Sequence, residues 1–249
     1  MISDEQLLRY NRQIMLPDLD VAGQERLLSA RVLVLGLGGL GCPAALYLAA
    51  AGIGELVLVD DDLVEFSNLQ RQIAHGSEDI GQPKVVSAAA AIAAINPDVR
   101  LVCIEQRLSG QALRDTVAGV DLVLDATDNF STRLELNQAC LQSGKPLVSG
   151  AATRSEGQVM VIDRGTACYR CLYTDDLDDE NLSCSESGVL APMVGVIGSL
   201  QALEAVKLIA GFGEPLRDHL LLIDGWSLQT QRVRRQKNPY CPHCSSDPD

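Results

Sequence analysis

Short apolar runs alternate with longer stretches of helical periodicity over the first two-thirds of the chain. The apolar runs predict strands at 30–36, 55–60, 100–105, 121–127 and 146–151. The stretches between them predict helices at 42–52, 82–96, 110–118 and 131–143. Strands that alternate with helices in this way form a parallel sheet with right-handed crossovers. The pattern therefore predicts a doubly wound, mostly parallel, Rossmann-like α/β fold.

The pattern changes after Gly150. Apolar runs at 158–163 and 219–225, with the segment "LQTQRVRR" that follows, predict a C-terminal antiparallel extension of the sheet. Between them, a long apolar stretch predicts a helix at 191–210, and a polar acidic stretch at 173–188 predicts a loop. We expect a single domain over residues 1–249. Its parts would be an N-terminal helical arm (1–28), a first half (29–150) and a second half (151–249).

The net charge of −13 over 249 residues argues against a general surface for nucleic acids or anionic membranes. One basic cluster near the end is interpreted as a solvated strand face; it consists of Arg232, Arg234, Arg235 and Lys237. The N-terminal residues are charged and polar where a secretory signal would be apolar. The long apolar stretch is interrupted by Gln201, Glu204 and Lys207, which favours a buried helix over a membrane span. We therefore expect a cytoplasmic protein.

The first predicted strand runs directly into a glycine loop, "VLVLGLGGLGCP", at residues 32–43. Gly36, Gly38 and Gly41 satisfy G-x-G-x-x-G, a spacing that lets phosphate approach the backbone at a helix N-terminus. Asp60 follows 19 residues after Gly41, where an acidic side chain would bind ribose hydroxyls. The alternative is a tight strand–helix turn with no ligand. The loop and Asp60 favour nucleotide binding but do not distinguish NAD from other nucleotides.

Cationic side chains after the second predicted strand favour ATP. The segment "SNLQRQ" (67–72) contains Asn68, Arg71 and Gln72, and Lys84 follows in "GQPKV". A dinucleotide needs little positive charge beyond a helix dipole, whereas triphosphate cleavage needs cations where charge shifts between phosphates. Either cation alone would more often be a solvated surface residue.

A further polar segment, "DATDNF" (125–130), ends the fourth predicted strand. Asp128 there could hold Mg²⁺, which binds one or two carboxylates together with phosphate oxygens. Asn129 could bind the nucleotide. The alternative is that Asp128 or Asn129 caps the following helix.

The eight cysteines divide by their spacing. Two C-x-x-C motifs, Cys168/Cys171 and Cys241/Cys244, predict a closed structural Zn²⁺ site, with a redox pair or disulfides as the alternatives. Three others lie in apolar segments and are predicted to be core residues: Cys42, Cys103 and Cys140. Cys184 stands alone in the acidic loop.

These motifs resemble, in their order, the bacterial ubiquitin-activating-enzyme-like adenylyltransferase family (MoeB/ThiF). The segments that carry the resemblance are "RYNRQI", "GLGGLG", "SNLQRQ", "GQPKV", "DATDN", "CYRC", "GVIGSLQA" and "CPHC". The resemblance implies ATP-dependent adenylation of the C-terminal Gly-Gly carboxylate of a small ubiquitin-like sulfur-carrier protein, with release of pyrophosphate. The carrier implied is the small subunit of molybdopterin synthase, in molybdenum cofactor biosynthesis. The alternative is the thiamin-pathway carrier.

The resemblance also implies roles for single residues. The nucleotide would be bound by Gly36, Gly38, Gly39, Gly41, Asp60, Asn68, Leu69, Gln70, Arg71, Gln72, Lys84, Asp128 and Asn129. Asp128 would hold Mg²⁺, and Cys168, Cys171, Cys241 and Cys244 would hold Zn²⁺. Arg12 would reach into the site of a second copy, which implies a homodimer. ATP binding would belong to residues 29–150, and carrier and zinc binding to 151–249.

Three further expectations concern chemistry around the reaction. The attacking carboxylate is already ionised at neutral pH, so the site needs no general base. Cys184 matches a crossover-loop cysteine that forms a covalent link to the carrier in the thiamin branch, although neighbouring acidic residues oppose the lowered pKa of a nucleophilic thiol. No sulfurtransferase segment follows Cys244, so sulfur would come from a separate cysteine desulfurase or sulfurtransferase.

Two other classes of protein carry a glycine loop. An NAD(P)-dependent oxidoreductase would leave Arg71, Lys84 and the cysteine motifs without a role. A non-catalytic adenine-nucleotide sensor would bind ATP without turnover.

Overall fold

The computed structural model describes residues 2–173 and 188–245 of the chain. The strands in these residues are β1 (Arg31–Leu35), β2 (Glu55–Val59), β3 (Arg100–Ile104), β4 (Leu122–Asp125), β5 (Leu147–Thr153), β6 (Glu156–Ile162), β7 (His219–Asp224) and β8 (Gln229–Arg234). The helices are α1 (Asp4–Arg9), α2 (Asn11–Ile14), α3 (Asp20–Ser29), α4 (Gly41–Ala51), α5 (Lys84–Ile95), α6 (Gly110–Ala118), α7 (Phe130–Ser143), α8 (Tyr169–Leu172) and α9 (Ala191–Ala210). Each strand and helix predicted from the sequence is present, within a few residues at its ends.

The described strands form one mixed sheet in the order β3-β2-β1-β4-β5-β6-β7-β8. β1 to β5 are parallel, and the antiparallel part begins with the β5–β6 pair. The chain leaves β1 for β2 on one side and returns to β4 on the other. Between β1 and β4 the strand order therefore reverses, which leaves a crevice at the carboxyl ends of the strands.

The central strands are apolar throughout because both faces of the sheet are covered. Val32 and Val34 of β1 pack into a core with α4, α5 and α9, whereas Leu33 and Leu35 pack into a second core with α6 and α7. The first core contains residues from Leu19 to Leu216 and so joins the N-terminal arm to both halves of the chain. The division into arm and halves stays a prediction.

α9 is the one helix in the described residues that is long and apolar enough to cross a membrane. More than half of it is buried inside the protein, against α4 and the sheet. Gln201 Nε2 donates to the carbonyl of Asp125 at 2.6 Å, and Glu204 Oε2 accepts from the Leu216 amide at 2.8 Å. Lys207 pairs with Glu204. The polar residues that interrupt the apolar stretch thus bond within the fold, although Gln201 Oε1 has no partner among the described residues, and the helix is buried as the sequence predicted.

Two predictions about single residues were wrong. Cys103 is exposed, because β3 is the edge strand of the sheet and the first core covers this position only in part; its Sγ donates to the Val85 carbonyl of α5 at 3.6 Å. Arg235 is buried rather than solvated. Its guanidinium donates to the carbonyls of Ala167 at 2.6 Å and of Val161, so this cation replaces water around main-chain oxygens beside the first C-x-x-C motif.

Candidate functional site

The loop requires glycine at its different positions for different physical reasons. Gly36 has φ +90°, a conformation that side chains disfavour. A Cβ on Gly41 would lie 1.8 Å from the Gly36 carbonyl oxygen, and one on Gly39 would lie 2.8 Å from Val194. At Gly38 the nearest atom would be Gln72 Nε2 at 3.7 Å, so this position is open. Gly36, Gly39 and Gly41 are therefore required by the fold, whereas Gly38 leaves space for a ligand.

A cavity of about 300 Å³ lies against this loop, at the carboxyl ends of β1, β2 and β4. Its charged and amide side chains are Asp60, Asp61, Asp62, Arg71, Gln72, Lys84, Gln106, Arg107, Asp128 and Asn129. Gly36, Gly38 and Gly39 also line it. The structure therefore brings together most of the side chains that the sequence assigned to nucleotide binding. Gly41, Asn68, Leu69 and Gln70 do not line the cavity.

Asp60 organises the floor of the cavity. Its carboxylate accepts from the amides of Leu37 at 2.6 Å and Asp62 at 2.9 Å. Lys84 Nζ lies 3.9 Å from Asp60 and 2.6 Å from Asp62. Burial raises the pKa of Asp60 despite the opposing effect of Lys84. A buried carboxylate beside a buried cation can bind hydroxyl groups on one side while the cation meets phosphate on the other.

The segment after β2 contributes through only part of its residues. Asn68 is used by the protein itself, because its Oδ1 accepts from the Glu65 amide at 3.2 Å. Arg71 lines the cavity, and its Nη1 donates to the Ser67 carbonyl at 3.2 Å. Gln72 is buried, and its Oε1 has no hydrogen-bond partner among the described residues. Arg71 and Gln72 are therefore the members of this segment with polar atoms to offer a ligand.

In the loop after β4, capping of the next helix and lining of the cavity belong to different residues of "DATDNF". Asn129 Oδ1 accepts from the Thr132 amide at 2.9 Å and so caps α7. Asp128 is exposed and lines the cavity instead. Capping thus belongs to Asn129, and Asp128 keeps a carboxylate that can meet a cation.

Sequence reasoning missed Arg107, a third cation at this edge. Its Nη2 lies 3.1 Å from Thr132 Oγ1 and 3.4 Å from Asn129 Oδ1, and it lines the cavity. The signal was its place just after β3, at the same sheet edge as the other polar loops.

A second cavity of about 220 Å³ adjoins the first and shares Asp128 and Ala152 with it. Its wall contains the rings of Phe130, Tyr169 and Tyr173, and the last two have centroids 4.6 Å apart. Asp128 therefore lies where a polar cavity meets a more apolar one.

The four cysteines of the C-x-x-C motifs come together behind this aromatic wall. Their sulfur atoms lie within 4.8 Å of one another, with Cys168–Cys241 at 3.6 Å and Cys171–Cys244 at 3.5 Å. Tetrahedral zinc with bonds of about 2.3 Å needs sulfur atoms about 3.8 Å apart. His243 lies outside the cluster, with its Nδ1 3.3 Å from Asn137 Nδ2. The donor set fits a structural Zn²⁺ ion.

The thiols of the cluster compete for protons, because the pKa values of neighbouring cysteines shift in opposite directions. Burial raises the pKa of Cys168 to about 11. For Cys241, burial alone would raise the pKa, but hydrogen bonds from the amides of His243 and Cys244 and from the Cys168 and Cys244 thiols together lower it. A cation at the centre of the cluster would remove this competition by binding all four sulfur atoms as thiolates.

Two candidate residues lie away from the nucleotide cavity. Arg12 lines a separate groove together with Tyr47 and Leu203, so it does not meet the ATP motifs of its own chain. Cys184 lies outside the described residues.

The chain as a whole is similar to known proteins. A model of the ThiF family matches residues 10–243. The chain is 50% identical to the molybdopterin-synthase adenylyltransferase of Salmonella typhimurium, over 98% of both chains. It is 47% identical to the sulfur carrier protein ThiS adenylyltransferase of Escherichia coli, over 98% of this chain and 97% of that protein.

The fold also matches a solved structure, E. coli MccB with MccA-N7isoASN. The TM-score is 0.84 at 25% identity, covering 98% of this chain and 75% of the other. These relatives confirm the family expected from the ordered motifs, and the chain belongs to the ThiF family.

Proposed function

We propose that the protein is an ATP-dependent adenylyltransferase that activates the C-terminal Gly-Gly carboxylate of a small ubiquitin-like sulfur carrier. The observation that carries the proposal is one cavity in which a glycine loop meets Arg71, Lys84 and Asp128. Binding of NAD needs little positive charge beyond a helix N-terminus, so two cations beside an exposed carboxylate favour a triphosphate. The names of the relatives, molybdopterin-synthase adenylyltransferase and ThiS adenylyltransferase, support the same class of reaction.

In this proposal the glycine loop and the cationic side chains bind different parts of the nucleotide. Asp60 binds the ribose, and the open backbone at Gly38 admits the phosphates beside the N-terminal end of α4. Arg71 and Lys84 neutralise charge that moves onto the leaving pyrophosphate. Asp128 would hold Mg²⁺, which would supply further positive charge beside the phosphates.

The carrier supplies its own nucleophile. Its terminal carboxylate is ionised at neutral pH and attacks the α-phosphorus, forming an acyl-adenylate as pyrophosphate leaves. The enzyme's task is to align the carboxylate with the phosphorus and exclude water. Asp128 lies where the nucleotide cavity joins the aromatic cavity, so the carrier tail would approach through the latter. We place the carrier's folded body on the second half of the chain.

The charge of the cavity supports a contribution from a second copy. Its lining holds three cations (Arg71, Lys84, Arg107) and four carboxylates (Asp60, Asp61, Asp62, Asp128). A triphosphate therefore needs further positive charge besides these side chains. Arg12, supplied by a second copy in a homodimer, would provide it together with Mg²⁺. The Arg12 groove includes the exposed apolar residues Tyr47 and Leu203, as a subunit interface requires.

The physiological carrier is proposed to be the small subunit of molybdopterin synthase, because the chain is 50% identical to an adenylyltransferase of that name. The ThiS relative, at 47%, makes the thiamin carrier the second candidate. Structural Zn²⁺, a separate sulfur donor and a cytoplasmic location complete the proposal.

Carrier-dependent exchange of labelled pyrophosphate into ATP tests the reaction. Purified protein, Mg-ATP and each candidate Gly-Gly carrier should give exchange with one carrier preferred. Arg71→Ala and Asp128→Ala should abolish it, whereas Arg114→Ala, on the exposed face of α6, should not. NADH binding without any exchange would refute the proposed class.

A mixing experiment tests the subunit crossing. Arg12→Ala and Arg71→Ala should each be inactive alone. After subunit exchange, about a quarter of the sites should regain both arginines, because each mixed dimer contains one intact site. Mixtures that stay inactive would show that Arg12 does not act in a second copy.

A further inference from the structure

The residue before Asp128 is held at three atoms by buried side chains. The Thr127 amide and hydroxyl donate to Asp125 Oδ1 at 3.1 and 2.7 Å. Its carbonyl accepts from Arg133 Nη2. Because the peptide unit is planar, fixing the Thr127 carbonyl also fixes the plane from which Asp128 projects.

Asp125 and Arg133 are unusual residues to find at such a place. Their side chains are only 1% and 7% exposed, and Arg133 Nη1 lies 3.7 Å from Asp125 Oδ2. Burial opposes the charge of Arg133, but Asp125 and the neighbouring tyrosines, Tyr169 above all, together outweigh it and raise the pKa of the guanidinium. An apolar pair of similar volume often stabilises a fold as well as a buried ion pair does. Stability alone therefore does not account for these charges.

The same face of α7 is also held by the segment that carries the first C-x-x-C motif. Asn137, one turn after Arg133, accepts through Oδ1 from the Tyr169 amide at 2.9 Å. Tyr169 lies between Cys168 and Cys171, and its ring centroid is 5.8 Å from that of Phe130 at the start of α7. The helix that begins just after Asp128 is thus anchored along one face, and Arg133 is the residue of that face that donates directly to the Thr127–Asp128 turn.

We propose that Arg133 is a positioning residue for adenylation, which holds the Thr127–Asp128 turn so that the Asp128 carboxylate stays at the junction of the two cavities. The proposal rests on the proposed function, in which Asp128 binds Mg²⁺. Mg²⁺ demands near-ideal octahedral geometry, so a carboxylate that wanders binds it poorly. A guanidinium can reach the Thr127 carbonyl and face Asp125 at once, because its nitrogen atoms form a rigid planar fork.

Arg133→Lys tests the fork while keeping the charge. A single ammonium cannot hold both partners in the same geometry. We expect the rate of carrier-dependent pyrophosphate exchange at saturating ATP to fall about 100-fold, as for a misplaced reacting group. The Mg²⁺ concentration for half-maximal rate should rise, whereas the KM for ATP should change little, because Asp60, Arg71 and Lys84 are untouched. Arg114→Lys is the matched control on exposed α6 and should behave as wild type.

A double variant separates positioning from charge balance. Arg133→Met leaves Asp125 unpaired, and adding Asp125→Asn removes that charge while keeping an oxygen for Thr127. The double variant should fold with a Tm near that of wild type but keep the low rate and the raised Mg²⁺ requirement. A double variant with the wild-type exchange rate and the wild-type Mg²⁺ requirement would overturn the proposal. Wild-type Mg²⁺ dependence in Arg133→Lys would also overturn it. Wild-type protein without any exchange would instead refute the proposed function.

Discussion

The glycine loop offers a matched pair of substitutions whose effects should be opposite. At Gly41, a Cβ would meet the Gly36 carbonyl oxygen at 1.8 Å, so the loop would have to move by about 1.2 Å to relieve the overlap. Such overpacking costs about 1–3 kcal/mol. For a domain of this size we expect Gly41→Ala to lower Tm by roughly 2–12 °C.

At Gly38 the same methyl group would clash with nothing in the protein, where the nearest atom is 3.7 Å away. Gly→Ala at a compatible backbone position stabilises by about 0.4–1 kcal/mol through the unfolded state. The methyl would instead occupy the cavity and block the close approach of phosphate to the loop. Losing one hydrogen bond to a charged group costs about 1.5–3 kcal/mol. ATP affinity should therefore fall roughly 10- to 150-fold.

Scanning calorimetry without nucleotide and titration calorimetry with ATP measure the two quantities separately. Gly41→Ala should show the low Tm, and Gly38→Ala an unchanged or slightly raised Tm with weak ATP binding. If Gly38→Ala bound ATP as wild type does, the loop would be a chain turn and not a phosphate site. A wild-type Tm for Gly41→Ala would refute the steric argument.

Three further predictions concern single groups. Protein purified without chelator should contain about one zinc per chain, as a four-thiolate site requires. Cys171→Ser should lose the metal and have a lower Tm. Full metal binding by this variant would contradict the assignment. In the native protein, with the zinc in place, iodoacetamide should label the exposed Cys103 well before the buried Cys42 and Cys140. Burial raises the pKa of all three thiols, to about 12 for Cys42, so access of the reagent sets the order. Mass spectrometry of tryptic peptides gives the order, and early labelling of Cys42 would contradict its burial. Because burial raises the pKa of Asp60 in the folded state, the native protein binds this proton more tightly than the unfolded chain does, so Asp60 stabilises less as pH rises through its titration. The Tm of wild type minus that of Asp60→Asn should therefore decrease as the pH rises above about 4, where an ordinary aspartate titrates, and a difference that grows instead would contradict this sign.

The strands and helices could be predicted because their patterns are local. The run Arg31–Leu35 is apolar at every position after the first, and only a strand covered on both faces explains that pattern in so short a segment. Most of the predicted nucleotide residues also line one cavity, because loops at the carboxyl ends of parallel strands meet at one edge. Arg71, Lys84 and Asp128 reached the cavity for this reason.

The surroundings of single side chains could not be predicted from the sequence, because they depend on the direction in which each side chain points. Asn68 stands in the same motif as Arg71 but is used to close its own turn. Cys103 and Arg235 were misread because apolar or basic neighbours say nothing about whether a residue lies on an edge strand or beside main-chain oxygens. Arg133 had no signal at all, since an arginine within a helix is usually a surface residue.

The change of strand direction at β5–β6 has a consequence for how this kind of enzyme can diversify. No side chain of β7 or β8 lines the nucleotide cavity, although both strands belong to the same hydrogen-bonded sheet. If the carrier docks on the second half of the chain as proposed, substitutions on that hairpin would alter carrier recognition while the ATP site at the parallel half stays intact. A duplicated gene could change its carrier in small steps, each of which leaves a working ATP site.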